Sequence, residues 1–361
     1  MRFLIITNHS YMLWQFRKEF IKALLKRGEV VISMPFVGHE EDFKAMGCRC
    51  LEMKLERRGT NPFQELRLFD SYRKLLIAEH PDLVITYSIK PNLYAGLLCR
   101  VMKIPYCVNV QGLGTAFQRK SMAVLVSALY REALKKARRV FFENKENARF
   151  FINKKILPVS KITVLPGAGV DLEWYRFIEY PSEENGIRFL YLGRIMREKG
   201  MDEFFSAVCR LKKEFGSNVQ FDLVGFFEDD YKQTVDTMSQ KGLISFYGFQ
   251  EDSRPWYASA HCVVLPSWHE GMSNVLLEGA STGRALITSD IPGCREAVSE
   301  GENGFLTPVR DADSLYKVMK SFMELSANER MEMGKKGREK MEREFDRKRV
   351  VDRILRVLHI S

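Results

Sequence analysis

The 361-residue chain has no apolar run approaching the ~18 residues that a membrane-spanning helix requires. Its first residues, Met1-Arg2-Phe3-Leu4-Ile5-Ile6-Thr7, form too short an apolar stretch for a signal peptide. Its seven cysteines are odd in number and contain no C-x-x-C pair, which argues against both a disulfide framework and a zinc knuckle. A reducing cytosol is the simplest compartment for such a chain. No internal repeat is visible. The basic half carries no nucleic-acid recognition motif and no ladder of interleaved basic and aromatic residues. Neither a Walker A loop nor a G-x-G-x-x-G turn occurs at the loops considered below.

What is present is ordinary for a globular protein: 45% hydrophobic and 28% charged residues. At roughly 150 residues per domain, the length suggests two domains, each able to bury a core. The net charge of +10 is unevenly distributed. Residues 1–178 hold 30 Lys+Arg and 16 Asp+Glu, whereas residues 179–361 hold 26 and 30. A basic first half suits an anionic partner, whether nucleic acid, an acidic membrane surface or a phosphorylated substrate, and equally suits a plain solvated surface.

Short apolar runs alternate with helix-length segments. Strands are expected at 2–7, 29–34, 50–53, 83–86, 106–110, 140–143 and 162–165, and the pattern restarts with 188–192, 219–224, 244–247, 262–265 and 285–288. Helices are expected between most of them, for example over 15–27 and 62–80. Asn61 is the expected N-cap of the latter, with Pro62 at its first position and Pro81 past its end. Such alternation predicts parallel sheets covered on both faces. The polar stretch 180–186 reads as a linker, giving domains 1–180 and 181–344, with a terminal helix at about 345–361 that can pack back on the first domain. After Asp311 the chain reads as helical and highly charged.

In doubly wound sheets ligands bind beyond the carboxyl ends of strands, so the loops after strands are the places to look. After the strand at 188–192 comes Gly193-Arg194-Ile195-Met196-Arg197-Glu198-Lys199-Gly200. It offers a flexible glycine, the cations Arg194 and Lys199 and the start of a helix, which is the outline of a phosphate site. After 262–265 comes Pro266-Ser267-Trp268-His269-Glu270-Gly271-Met272-Ser273-Asn274, then a helix carrying Glu278 about one turn in. Ser273 or Asn274 can cap that helix, the amides from Gly271 to Asn274 can bind an anion, and Glu270 and Glu278 can accept from hydroxyls. An anion next to a polyhydroxyl suggests a sugar nucleotide.

Together, G-R-x4-K-G and E-G-x2-N-x3-E resemble the family 4 glycosyltransferases. The flanking Pro292-Gly293, Glu296-Ala297-Val298 and Asn303-Gly304 also match. So do Lys90-Pro91-Asn92, Gly112-Leu113-Gly114-Thr115-Ala116-Phe117 and Leu165-Pro166-Gly167-Ala168-Gly169-Val170-Asp171, which are similar to the capsule, O-antigen and N-glycan-precursor branch. The resemblance implies an α/β architecture of the GT-B type, two Rossmann-like doubly wound domains facing across a cleft. It implies that Arg194 and Lys199 neutralise a donor diphosphate, that Glu278 holds the ribose and that Glu270 orients the donor sugar. Gly193 would pass close to the donor, Gly271, Met272, Ser273 and Asn274 would supply amides, and Phe249 would lie where the base is read. Glu270, Arg194 and Lys199 are thus the expected catalytic groups. On the acceptor side the expected residues are His9 and Ser10, in a loop over 8–14, with Lys90, Asn92, Gly112 and Gly114. The resemblance leaves open which residue stands for the family's first-half His; His9 is the only His of that loop, and Lys90 is expected to fill part of the role.

The reading is a cytoplasmic, peripherally membrane-bound, retaining glycosyltransferase. It would move a hexose or N-acetylhexosamine from a UDP-sugar to a lipid-diphosphate-linked saccharide, with no cofactor, no metal and no nucleic acid. A sugar-nucleotide epimerase or hydrolase of the same fold is the alternative enzyme, and a basic nucleic-acid-binding protein the alternative of another class. Asp311-Ala312-Asp313 spells the D-x-D of another glycosyltransferase fold but is expected to cap a helix. Glu228-Asp229-Asp230 is expected to be a solvated loop, and Cys48-Arg49-Cys50 lacks partner ligands. The segment 122–139, with Val126, Leu129 and Ala133 on one face and Lys135, Lys136, Arg138 and Arg139 at its end, suits either a membrane surface or a core-packed helix.

Overall fold

A computed structural model describes residues 1–53, 61–112 and 120–360 and divides the chain into two compact units. The first comprises Met1–Ala168 and Lys348–Ser361. Its strands are β1 (Arg2–Ile6), β2 (Glu29–Met34), β3 (Arg49–Glu52), β4 (Leu83–Tyr87), β5 (Tyr106–Val110), β6 (Arg139–Phe142) and β7 (Ile162–Val164). All pair in parallel, in the order β3-β2-β1-β4-β5-β6-β7. The helices are α1 (Ser10–Leu25), α2 (Glu40–Met46), α3 (Pro62–Glu79), α4 (Ile89–Met102), α5 (Lys120–Leu134) and α6 (Lys145–Asn153). Alternation along β1 sorts the core into two layers. Leu4 and Ile6 face a layer built with α3 to α6, while Phe3 and Ile5 face α1 and α2.

The second unit, Gly169–Arg347, repeats the design. Its strands β8 (Ile187–Leu192), β9 (Val219–Val224), β10 (Ser245–Phe246), β11 (Cys262–Leu265), β12 (Ala285–Ser289) and β13 (Gly304–Thr307) lie in the order β10-β9-β8-β11-β12-β13. Helices α7 (Met201–Phe215), α8 (Lys232–Gln240), α9 (Arg254–Ser259), α10 (Asn274–Ser281), α11 (Ala312–Glu324) and α12 (Ala327–Glu344) connect and cover them. In both sheets the first strand of the unit has its second and fourth as neighbours, so strand order reverses there. That is the switch point where doubly wound sheets open a ligand crevice. It falls between β1 and β4 in the first unit and between β8 and β11 in the second.

The final helix, α13 (Arg347–Leu358), belongs to the first unit, where Val350, Val351, Ile354, Leu355 and Leu358 close the layer around Phe3 and Ile5.

The boundary falls at 168/169 and not at 180/181, because 169–180 is tied to the second unit. Tyr175 lies in its core and its carbonyl accepts from Ser281 Oγ at 2.6 Å and Arg338 Nη1 at 2.9 Å. The buried Arg284 donates to the carbonyls of Ile178 and Glu179. The polar stretch 180–186 is no free linker either: Glu183 pairs with Arg330 at 2.5 Å and Tyr180 donates to the His261 carbonyl at 3.2 Å. β13 is the strand that the sequence pattern did not announce. It is four residues at a sheet edge, half-buried in the middle, so it carries no continuous apolar run. Asp311 caps α11, its carboxylate accepting from Ser314 N at 2.9 Å, and among the described residues no three His, Cys, Asp or Glu side chains gather as a metal set. The seven cysteines are unpaired.

Ile354 is 3% exposed within the first unit's core. Ile354→Ala is therefore expected to cost about 2–4 kcal/mol. Amide exchange should show lowered protection in β1 and β4, and unchanged protection in β8 and β11.

Candidate functional site

The two loops singled out in the second half lie on either side of its switch point. β8 delivers residues 193–199 and β11 delivers residues 266–273. They are bound together in three ways. Trp268 N donates to the Glu198 carbonyl at 2.9 Å. Gly200, at φ +73°, passes so close to Pro266 that a Cβ would sit 2.1 Å from the Pro266 carbonyl oxygen. The Lys199 ammonium donates to Glu270 Oε1, which also accepts from Ser267 Oγ at 2.9 Å. Both side chains of that pair are about seven-eighths buried, with exposures of 14% and 13%. The arrangement fixes a cation and a carboxylate at one point on the carboxyl edge of the sheet.

Arg194 sits on the other flank. Its guanidinium pairs with Glu228 at 2.8 Å, and Asp229 accepts from Arg197 N at 2.8 Å. Glu228 and Asp229 are thus part of this edge and not a merely solvated loop. The loop after β9 reaches Arg194 because Gly225 lets it pass: a Cβ there would meet the Gly193 carbonyl oxygen at 1.8 Å. Two exposed rings follow, Phe226 after β9 and Phe249 after β10, edge to face with centroids 6.1 Å apart. Phe249 was expected and Phe226 was not; its position one residue after Gly225, matching Phe249 after Gly248, is the signal that could have found it.

Ser273 is the N-cap of α10, accepting from Leu276 N at 3.5 Å, so the first-turn amides open onto the same edge. Gly293, at φ +86°, braces the turn from behind, its carbonyl accepting from Ser273 N at 2.8 Å. The Met272 side chain is buried in the core, which leaves only its backbone to serve a ligand. Asn274 Oδ1 is a buried acceptor with no hydrogen-bond partner among the described residues.

Glu278 is 7% exposed, its Oε2 accepting from Tyr257 OH at 2.9 Å. Burial pushes its carboxyl up to about 7, against the smaller lowering influence of the Tyr257 hydroxyl and the Arg347 charge. Its carboxylate lies between the Tyr257 and Tyr175 hydroxyls.

The expected acceptor-side residues are not all alike. His9 and Ser10 do not lie in a loop over 8–14, because α1 already starts at Ser10 and His9 Nδ1 caps it, accepting from Met12 N at 3.2 Å. Ser10 is fully buried. Lys90 pairs with Glu65 of α3 at 2.7 Å, and Tyr94 OH donates to the same carboxylate at 2.7 Å. The ammonium ties α4 to α3. Asn92 is 1% exposed, with its amide spent on Thr86 Oγ1 at 2.7 Å and the Asn109 carbonyl at 2.9 Å, a buried lock between α4 and the sheet. Gly112 is half-buried just past β5, and Gly114 lies outside the described residues, as does the Arg57-Arg58 pair.

At the switch point of the first sheet, Ser88, held at φ +74°, donates to Asn8 Oδ1 at 2.5 Å. Beyond β6, Glu143 pairs with the buried Arg17 at 2.6 Å and accepts from Gln111. Burial raises the Glu143 carboxyl, opposed by those partners. This group was missed in the sequence because Arg17 and Glu143 lie 126 residues apart and neither stands in a motif.

Residues 186–324 match the family model described as "Glycosyl transferases group 1", and residues 3–144 match the one described as "Glycosyl transferase 4-like". The chain belongs to the family 4-like glycosyltransferases. A Campylobacter jejuni N,N'-diacetylbacillosaminyl-diphospho-undecaprenol alpha-1,3-N-acetylgalactosaminyltransferase is 26% identical to it over 342 residues, 90% of each chain. An Escherichia coli UDP-Gal:alpha-D-GlcNAc-diphosphoundecaprenol alpha-1,3-galactosyltransferase is 28% identical, covering 73% of this chain and 71% of the relative. Among solved structures, Anabaena Alr3699/HepE in complex with UDP-glucose superposes with a TM-score of 0.82 at 17% identity over 100% of both chains. A glycosyltransferase from Rickettsia africae gives 0.77 at 16%, over 99% of this chain and 98% of that one. These likenesses establish the GT-B fold for this glycosyltransferase, in agreement with its two Rossmann-like sheets.

The raised Glu278 carboxyl gives this transferase a pH signature. Folding lifts its pKa from 4.5 to about 7, so the ionised form penalises the folded state. That penalty is absent below pH 4.5 and complete above about pH 7. Glu278→Gln removes it. Across that window the stability of the variant relative to wild type should rise by on the order of 3 kcal/mol, read from urea unfolding at a series of pH values. A flat difference would show that this carboxyl does not titrate there.

Proposed function

We propose that this glycosyltransferase transfers a hexose or N-acetylhexosamine from a UDP-sugar to a saccharide carried on a lipid diphosphate, with retention of anomeric configuration and without a metal. The donor reading rests on one observation: Lys199 and Glu270, buried together, share the carboxyl edge of the second sheet with Arg194 and the first-turn amides of α10. In this reading the diphosphate lies on Lys199, Arg194 and those amides, with Gly193 allowing close approach. Glu270 accepts from the donor sugar, Glu278 from the ribose, and Phe249 with Phe226 flanks the base. Charge builds on the leaving diphosphate as the glycosidic bond breaks, and preorganised cations and amides stabilise it most at that moment. The acceptor hydroxyl attacks on the leaving-group face and a phosphate oxygen takes its proton.

The acceptor class is supported by the two relatives whose names specify undecaprenyl-diphosphate-linked saccharides. No helix among the described residues is long and apolar enough to cross a membrane. In this reading the enzyme works at the cytoplasmic face of the membrane as a peripheral protein. The outward faces of α3 and α5 suit that placement. Phe63 and Leu66 are 78% and 68% exposed, and Val124 and Leu125 are 73% and 57% exposed. Val126, Tyr130 and Ala133 of α5 face the core, while Leu129, expected beside them, is 38% exposed. Large apolar side chains beside a basic surface suit an anionic bilayer.

The deciding experiment offers UDP-sugars with and without a lipid-diphosphate saccharide. Transfer only when the acceptor is present supports the proposal, whereas conversion of the donor alone indicates an epimerase or hydrolase. Lys199→Ala is expected to lower kcat/KM by about 2–4 kcal/mol of transition-state stabilisation, with steady-state kinetics as the check. A change within twofold would remove Lys199 from the diphosphate. Sedimentation with anionic vesicles should be strong at low salt and weaker near physiological salt, and replacing Phe63 and Leu66 with serine should reduce it.

A further inference from the structure

The outer edge of the first sheet carries a trough that no part of the proposed mechanism uses. β7 is the edge strand there, only three residues long. α6 forms one wall and α13 the other, leaving a hollow of about 440 Å³, within the ~300–1,000 Å³ range of small-molecule sites. A second hollow of about 390 Å³ shares Ile152 and Val159 with it and extends it past the end of α6.

The chemistry of the walls changes along α6. Lys145 and Arg149 stand one turn apart in its first half, facing the trough, and Arg353 faces it from α13. All three are exposed, and among the described residues none makes an ion pair. Further along, the walls are aliphatic: Ile152, Val159 and Val357. At about 1.5 Å per residue the nine residues of α6 span roughly 13 Å, so the cationic end and the apolar end are separated along one element. Unpaired cations above an apolar channel match an amphiphile with an anionic head and a hydrocarbon tail. The cationic end is also the correct end. Lys145 follows Glu143 by two residues, and α6 begins where β6 reaches the carboxyl edge of the sheet, where Glu143 meets Arg17 and Gln111. A saccharide at that edge would have its lipid leading away along α6.

We propose that this trough receives the diphosphate and the first isoprenoid units of the acceptor lipid. The diphosphate would meet Lys145, Arg149 and Arg353, and the hydrocarbon would lie over Ile152, Val159 and Val357. The inference rests on the acceptor class proposed above, and it adds the place where that acceptor's lipid is recognised.

Farnesyl diphosphate, which carries no sugar, is the probe. Titrated calorimetrically into the full chain with saturating UDP to occupy the donor edge, it should bind more tightly than inorganic diphosphate or farnesol. The double variant R149E/R353E and the single variant Val159→Asp should each weaken it at least tenfold, with thermal melting and UDP affinity unchanged. Equal affinity in wild type and both variants would overturn the site. So would an affinity no better than that of inorganic diphosphate, because the tail would then contribute nothing. Loss of phosphatidylglycerol-vesicle binding in R149E/R353E without loss of farnesyl diphosphate binding would assign these cations to the bilayer surface and also overturn it. Failure of the wild-type enzyme to glycosylate any lipid-diphosphate saccharide would count against the function proposed above, while the titration still decides the trough.

Discussion

The contact on which the second unit's chemistry depends is the passage of Gly200 against the Pro266 carbonyl. No side chain fits in that gap, where a Cβ would sit 2.1 Å from the oxygen. The backbone at Gly200 is also in the left-handed region that other residues enter at a cost. With the gap closed, Trp268 reaches the Glu198 carbonyl and Lys199 reaches Glu270. If the two loops separated, Lys199 and Glu270 would each be left partly buried without its partner, which is far more costly than an exposed pair coming apart. Two loops that begin on different strands therefore behave as one rigid surface.

That rigidity carries an energetic load elsewhere. Glu278 is kept where its ionised form is poorly solvated, with the Tyr257 and Tyr175 hydroxyls and the Arg347 charge as partial compensation. Arg284 is fully buried nearby and is satisfied almost wholly by carbonyls, including those of Tyr257, Ile178 and Glu179. The same arginine that anchors the entering chain segment thus also anchors the helix that supports Tyr257. Such buried charges contribute little net stability, but they restrict the chain to one arrangement, because any other leaves a charge unsatisfied.

Much of this was legible in the sequence, for identifiable reasons. Fully buried parallel strands read as continuous apolar runs, so Cys262–Leu265 and Ala285–Ser289 stand out, and the residues that follow them are where doubly wound sheets keep their ligands. Glycines at tight passages and the Ser273 cap are equally local signals. What escaped is what depends on distant partners. Lys90 and Asn92 sit in a suggestive motif, yet Glu65, Thr86 and the Asn109 carbonyl decide that they hold helices in place. The Arg17–Glu143 pair cannot be read from spacing at all, whereas the return of α13 to the first unit matches the expectation for the terminal helix. The boundary was misplaced by about a dozen residues because polarity marks exposure to water, whereas Tyr175 and the carbonyls around it mark which core a segment joins.

The return of α13 also bears on how the chain is made. The first unit leaves the ribosome first, but the helix that closes its Phe3–Ile5 layer is translated after the whole of the second unit. Until then Leu13, Phe20 and Ile21 of α1 remain beside an open apolar face. Domains commonly fold in order of synthesis, and an exposed face of this kind invites association with other chains. The Phe3–Ile5 layer of the first unit is thus completed only by a segment made after the second unit.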